Sequence, residues 1–129
     1  MNKRAYIIAV TLALIFGAGC TKEKYEKLEG RWEVIDVANI ESTHFSEWTF
    51  ENAVLTIYWV SRTNPDDRII INSGNYELKF DITGTKLVIS NATGLYNGEW
   101  DFTELRKDRF SIKMEVTGGV LFREFKKIL

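Results

Sequence analysis

Between residues 74 and 81 the sequence GNYELKFD changes character at every step. Tyr76, Leu78 and Phe80 alternate with Asn75, Glu77, Lys79 and Asp81. Successive side chains leave a strand on opposite sides, so a period of two marks a strand with one face buried and one wet. RFSIKMEV (109–116) repeats the pattern, with Phe110, Ile112, Met114 and Val116 in one phase. A helix would scatter both apolar sets around its axis. These two segments therefore direct the chain toward antiparallel sheet.

The remaining segments fit the same scheme. KLVIS (86–90) returns after DITGTK (81–86), a hairpin turn with Gly84 placed for a positive φ. EWDFTEL (99–105) points Trp100 and Phe102 inward. VLFREFKK (120–127) follows the turn Thr117-Gly118-Gly119. Upstream, strands are expected over 30–38, 48–51, 53–61 and 68–72, with loops at 39–47, 62–67 and 91–98. In 53–60 and 68–72 apolar residues occupy both phases, which calls for a bulge or for cover on both sides. Eight or nine short strands with short sequential turns predict an all-β, up-and-down antiparallel meander barrel of about eight strands. Closure removes the open edges that would otherwise recruit other chains.

The N-terminus reads as an address. Lys3 and Arg4 precede an uncharged run, AYIIAVTLALIF (5–16), too short to span a bilayer but suited to the core of a secretion signal. Gly17, Ala18 and Gly19 follow, then Cys20, the single cysteine of the 129-residue chain. This arrangement resembles a bacterial lipoprotein signal, with Gly17 where that signal carries leucine. The resemblance implies a signal peptide at 1–19 and lipid on Cys20, with 20–29 as lipidated cysteine and tether and 30–129 as the barrel domain. Localisation is then the cell envelope, anchored to a bacterial membrane. The alternative is an ordinary secretory signal followed by an incidental thiol. Either way no internal disulfide can form, and stability rests on packing.

Without residues 1–19 the chain keeps 15 basic and 18 acidic residues, a net charge of −3. No basic stripe exists, and nucleic acid is set aside as a partner. TKEKYEKLE (21–29) alternates in sign, with Tyr25 and Leu28 its only packing residues, and reads as a tether entering a helical turn.

Leu28-Glu29-Gly30-Arg31-Trp32 at the first strand and Phe125-Lys126-Lys127 in the last resemble the small lipocalin-like lipoproteins of the Bacteroidetes kind. The resemblance implies a barrel closed at one end by Trp32, with a basic residue of the last strand laid across the indole. Arg123 is the position matched to that role, provided Leu121, Arg123 and Phe125 face inward. The opposite phase would turn Phe122 and Glu124 inward and leave Arg123 in water. The resemblance also implies a small apolar ligand, for which Trp48, Phe50, Trp59, Tyr76, Phe80, Trp100 and Phe110 are the candidate contacts. The same rings, with Trp32, Phe102 and Phe125, are equally able to fill the barrel as core. The loop 39–47 takes the place of a lid, with His44 and Phe45 over the mouth.

The rival function is a structural or protein-interaction module, with a filled barrel presenting loops to another envelope protein. No catalytic set is recognised: the one histidine has no nucleophile and orienting carboxylate in a known order. An enzyme is therefore not expected, nor a cofactor, nor a metal. Glu41, His44 and Glu47 are spaced three apart, but that spacing aligns ligands only on a helix, and this segment reads as loop. Asn64, Asp66 and Asp67 lack the remaining ligands of a calcium loop.

Overall fold

The computed structural model describes residues 22–36 and 42–129. The expected signal peptide at 1–19 and the expected lipidation position Cys20 lie outside the described residues, as does Glu41.

Eight strands follow one another: β1 (Gly30–Ile35), β2 (His44–Glu51), β3 (Val54–Ser61), β4 (Arg68–Asp81), β5 (Gly84–Ser90), β6 (Gly98–Leu105), β7 (Arg109–Val116) and β8 (Gly119–Lys127). Each pairs antiparallel with the next, and β8 returns to β1 to close the barrel. This is the up-and-down meander expected from the sequence, consistent with a calycin-like fold. Among the described residues no helix is long and apolar enough to cross a membrane.

The two clean alternations become β7 and the second half of β4, with Tyr76, Leu78, Phe110 and Ile112 buried. Other boundaries moved. The segments at 68–72 and 74–81 are one strand, because Gly74 continues the chain without a side chain. A Cβ there would meet the Ser90 carbonyl oxygen at 2.6 Å. The mixed phases are resolved by a bulge between Ile57 and Tyr58, where the β3–β4 register shifts. β2 starts at His44, so half of the expected lid is strand. Asn52 and Ala53 both take positive φ, which gives the tight β2–β3 turn a twist matched to its strands.

The core is a column of rings. Trp32 meets Phe110 edge-on at 4.7 Å, Phe110 stacks on Phe125 at 4.2 Å, and Phe125 meets Trp48 at 4.8 Å. Trp48 in turn meets Tyr96 at 5.6 Å. Leu55, Ile57, Leu87, Ile89 and Ile112 fill the spaces between them. Aromatic pairs of this kind add roughly 0.5–1.5 kcal/mol each beyond the area they bury.

Candidate functional site: the open mouth of the barrel

Up-and-down order sends alternate connections to the same end. At one end a helical turn at 22–28 covers the core. Leu28 is buried there, and its carbonyl accepts the indole N–H of Trp32 at 2.7 Å. The Tyr25 hydroxyl accepts the Leu78 backbone N–H at 2.8 Å. Lys127 lies 4.5 Å from the Trp32 ring, and its ammonium donates to the Glu29 carbonyl. Gly30 makes room for it. Its φ of +120° suits only glycine, and a Cβ at this position would stand 2.6 Å from the Lys127 nitrogen.

Arg123 does not close the barrel. The inward phase of Leu121, Arg123 and Phe125 holds, with Phe125 buried and Phe122 exposed. However, Trp32 and Lys127 are direct partners across the β1–β8 seam. Arg123 lies four residues earlier in β8, about 13 Å away at strand rise. It belongs to the other end. Lys127 was visible in the sequence as the next residue in the same phase as Phe125. What selects it is the seam register, which links the two ends of the chain.

At that other end the ring column stops short and leaves a cavity of about 170 Å³. Val34, His44, Ser46, Trp59, Ile71, Tyr96 and Arg123 are among its walls. β2 and β3 bring His44 and Trp59 together, and their rings stack at 5.7 Å. Tyr96 comes from a 3₁₀ turn at Gly94–Tyr96, held by the Trp100 indole donating to the Tyr96 carbonyl at 2.9 Å. The Arg123 guanidinium lies 5.8, 5.4 and 5.9 Å from the Trp48, Tyr96 and Trp100 rings. Its Nε is buried and has no hydrogen-bond acceptor. A guanidinium stays charged at any physiological pH, and Arg123 forms part of the cavity wall. Asp36 also contributes to the wall. Arg62, beside it, is committed to Glu33 at 2.7 Å and to the Ser42 carbonyl at 3.0 Å.

The seven candidate ligand contacts divide. Trp48, Phe50, Tyr76, Trp100 and Phe110 are buried core. Only Trp59 lines the mouth cavity. Phe80 is the correction: it keeps its phase but is 40% exposed, with the Lys24 ammonium 5.2 Å from its ring. The β4–β5 hairpin outruns β6, whose ladder with β5 begins at Lys86, so Phe80 opposite Thr85 has no third strand behind it. Periodicity reports which face a residue takes, and not whether the barrel extends that far.

A second charged cluster lies on the outer wall. Glu47 is 0% exposed, yet it points away from the rings. Arg31 donates to it at 2.7 Å, Thr49 at 3.0 Å, and Arg68 also pairs with it. Burial alone would raise the Glu47 pKa, but the hydrogen bonds from Arg31, Thr49 and Arg68 outweigh it and hold the carboxylate below its usual range. Arg31 is correspondingly raised, first by its hydrogen bond to Glu47. This ion cluster stitches β1, β2 and β4 together, with the Arg68 Nε buried and left without an acceptor. It also shows why Glu47 and His44 form no joint site: three residues apart on a strand, they leave on opposite faces. A larger hollow of about 470 Å³ beside Gly30, Arg31 and Asn52 is more open, and the arginine in it is already paired.

Comparison with protein-family models, curated proteins and solved structures gave no match, and the mouth is therefore read from its own chemistry.

Proposed function

We propose that this chain is a lipid-anchored barrel of the bacterial envelope that binds one small, largely apolar molecule end-on at its mouth. The observation that carries the reading is the cavity bounded by Trp59, Ile71, Tyr96 and Val34, with Arg123, whose Nε has no acceptor, in its wall. Ligand sites are concave, mostly apolar, and hold a few placed polar groups. The ring column argues against a molecule swallowed along the barrel axis, because Trp32, Phe110, Phe125 and Trp48 already occupy that space. The anchor is supported by the basic start, the short apolar run and Cys20. Two or more acyl chains on that residue would make attachment stable.

Two measurements test the proposal. Intact mass of the full chain expressed in a bacterial host should show diacylglycerol and acyl mass on Cys20, lost in Cys20→Ser. Titration with benzyl alcohol, a neutral probe of suitable size, should shift the amide signals of Ser46, Trp59 and Tyr96 and leave those near Trp32 still. Uniform or absent shifts would remove the binding reading.

The interaction-module reading has its own observation. Residues 68–74 of β4 pair only with β3, because the β4–β5 ladder begins at Asn75. Ile69, Ile70 and Ile71 there are 58%, 64% and 47% exposed. An apolar strand edge of this kind is a ready surface for another chain.

A further inference from the structure

Building on the mouth-binding reading, we propose that the ligand is a monocarboxylic acid with a compact apolar body, its carboxylate received by Arg123 and its body by Trp59, Ile71, Tyr96 and Val34.

Three features of the site narrow the ligand. The first is charge. The neighbouring Arg62 is matched by Glu33 at 2.7 Å. The Arg123 Nε is buried without a hydrogen-bond partner. What surrounds it are ring faces, which steady a cation but accept no hydrogen bond. A ligand group that accepts from a planar guanidinium fork completes it, and a carboxylate has that geometry. One guanidinium balances one carboxylate, whereas a phosphate dianion or a dicarboxylate brings a second charge that it does not match.

The second is size. The cavity holds about 170 Å³. An apolar void of about 150 Å³ takes up a benzene ring. A benzoate-sized or short branched-chain acid therefore fits, and a long acyl chain does not.

The third is shape. Trp59 stacks face-on with His44, at 6° between planes, presenting a flat wall beside the cavity. A flat or branched body covers such a wall better than a linear one.

The experiment uses the mature chain with Cys20→Ser, whose barrel is closed wholly by residues 30–127. Benzoate, benzyl alcohol, acetate and inorganic phosphate are titrated, followed by tryptophan fluorescence and by the Arg123 side-chain Nε–H signal. Benzoate is expected to bind at least tenfold more tightly than each of the other three, and to shift the Nε–H signal. Arg123→Gln should bring benzoate down to the level of benzyl alcohol, with benzyl alcohol changed less than twofold. Equal binding of benzoate and benzyl alcohol would overturn the carboxylate assignment and leave mouth binding standing. Failure of both to bind would remove the two readings together. Phosphate binding as tightly as benzoate would also overturn the proposal, since it would make the site a general anion site. Should Arg123→Gln not fold, the Nε–H signal of the wild-type chain decides: a shift with benzoate supports the assignment, and no shift overturns it.

Discussion

The two ends of this barrel hold the same ingredients and use them differently. Each places a cation of β8 over indole rings: Lys127 over Trp32 at the closed end, Arg123 beside Trp48 and Trp100 at the mouth. At the closed end each exposed need is met. The indole N–H reaches the Leu28 carbonyl, the ammonium reaches the Glu29 carbonyl, and Gly30 removes the atom that would block it. At the mouth the cation has rings but no acceptor for its Nε, and the cavity has walls but no filling. The closed end is arranged for stability. The mouth retains an unsatisfied donor, a feature that folding alone disfavours and that binding sites commonly retain.

The comparison breaks most visibly at Trp32. Trp32→Ala removes the largest ring from the bottom of the column, together with its bond to Leu28. It should cost about 3–5 kcal/mol, read as a lower urea midpoint. Trp59→Ala at the mouth should cost far less, because Trp59 is only half buried. Similar losses at the two sites would mean that the ends do not differ as described.

Gly30→Ala comes next. It forces a side chain into φ +120° and into the Lys127 nitrogen, with an expected loss of about 2–3 kcal/mol. Part of that loss arises through Lys127, which must leave the indole. Gly30→Ala and Lys127→Met should therefore be less than additive, and a double-mutant cycle measures the shortfall. Full additivity would separate the glycine from the clamp.

The closed end also sets an alkaline limit. Burial, then the charge of Glu29, pushes the Tyr76 pKa up to about 12. Between about pH 10 and 12 the unfolded chain loses the phenol proton while the folded chain keeps it, so stability falls as pH rises. The fall should total about 2 kcal/mol and vanish in Tyr76→Phe, as followed by urea unfolding at pH 9 and pH 11.5. Lys127 acts in the opposite sense. Burial lowers its pKa, so below about pH 10.4 the unfolded chain holds its proton longer and stability rises with pH. Above that value the Lys127 contribution is complete, and the loss from Tyr76 continues.

The ends also differed in how far the sequence revealed them. Alternation in 74–81 and 109–116 gave the sheet and the phase of the core, because both are local properties of a pleated chain. Gly30-Arg31-Trp32 pointed to the closed end for a local reason as well: a glycine that takes positive φ beside a buried indole. The partner of Trp32 was less legible. Arg123 and Lys127 share a phase, and only the β1–β8 register, set by closure of the whole barrel, places Lys127 opposite Trp32. The mouth was least legible. Its walls come from β1, β2, β3, β4, β8 and the turn carrying Tyr96, and no sequence window holds more than a few of them. Trp59 was named for its ring, and His44 and Phe45 for a lid that is half strand. Ile71 and Tyr96 carried no signal that separated them from ordinary core.

The smallest effect is the most informative about the two cations. Lys127→Met should cost about 1–2 kcal/mol, from one hydrogen bond and one cation–π contact. Arg123→Met removes a cation–π contact of similar size, but it also removes a buried donor without an acceptor, a group that costs about 1–3 kcal/mol where it stands. The two terms nearly cancel, so thermal unfolding of Arg123→Met should match the wild type or exceed it slightly. Opposite signs from two apolar replacements, made four residues apart on one strand, would set the stabilising cation apart from the binding one. A loss at Arg123 as large as that at Lys127 would mean that the mouth arginine is part of the packing after all, and that the two ends are built alike.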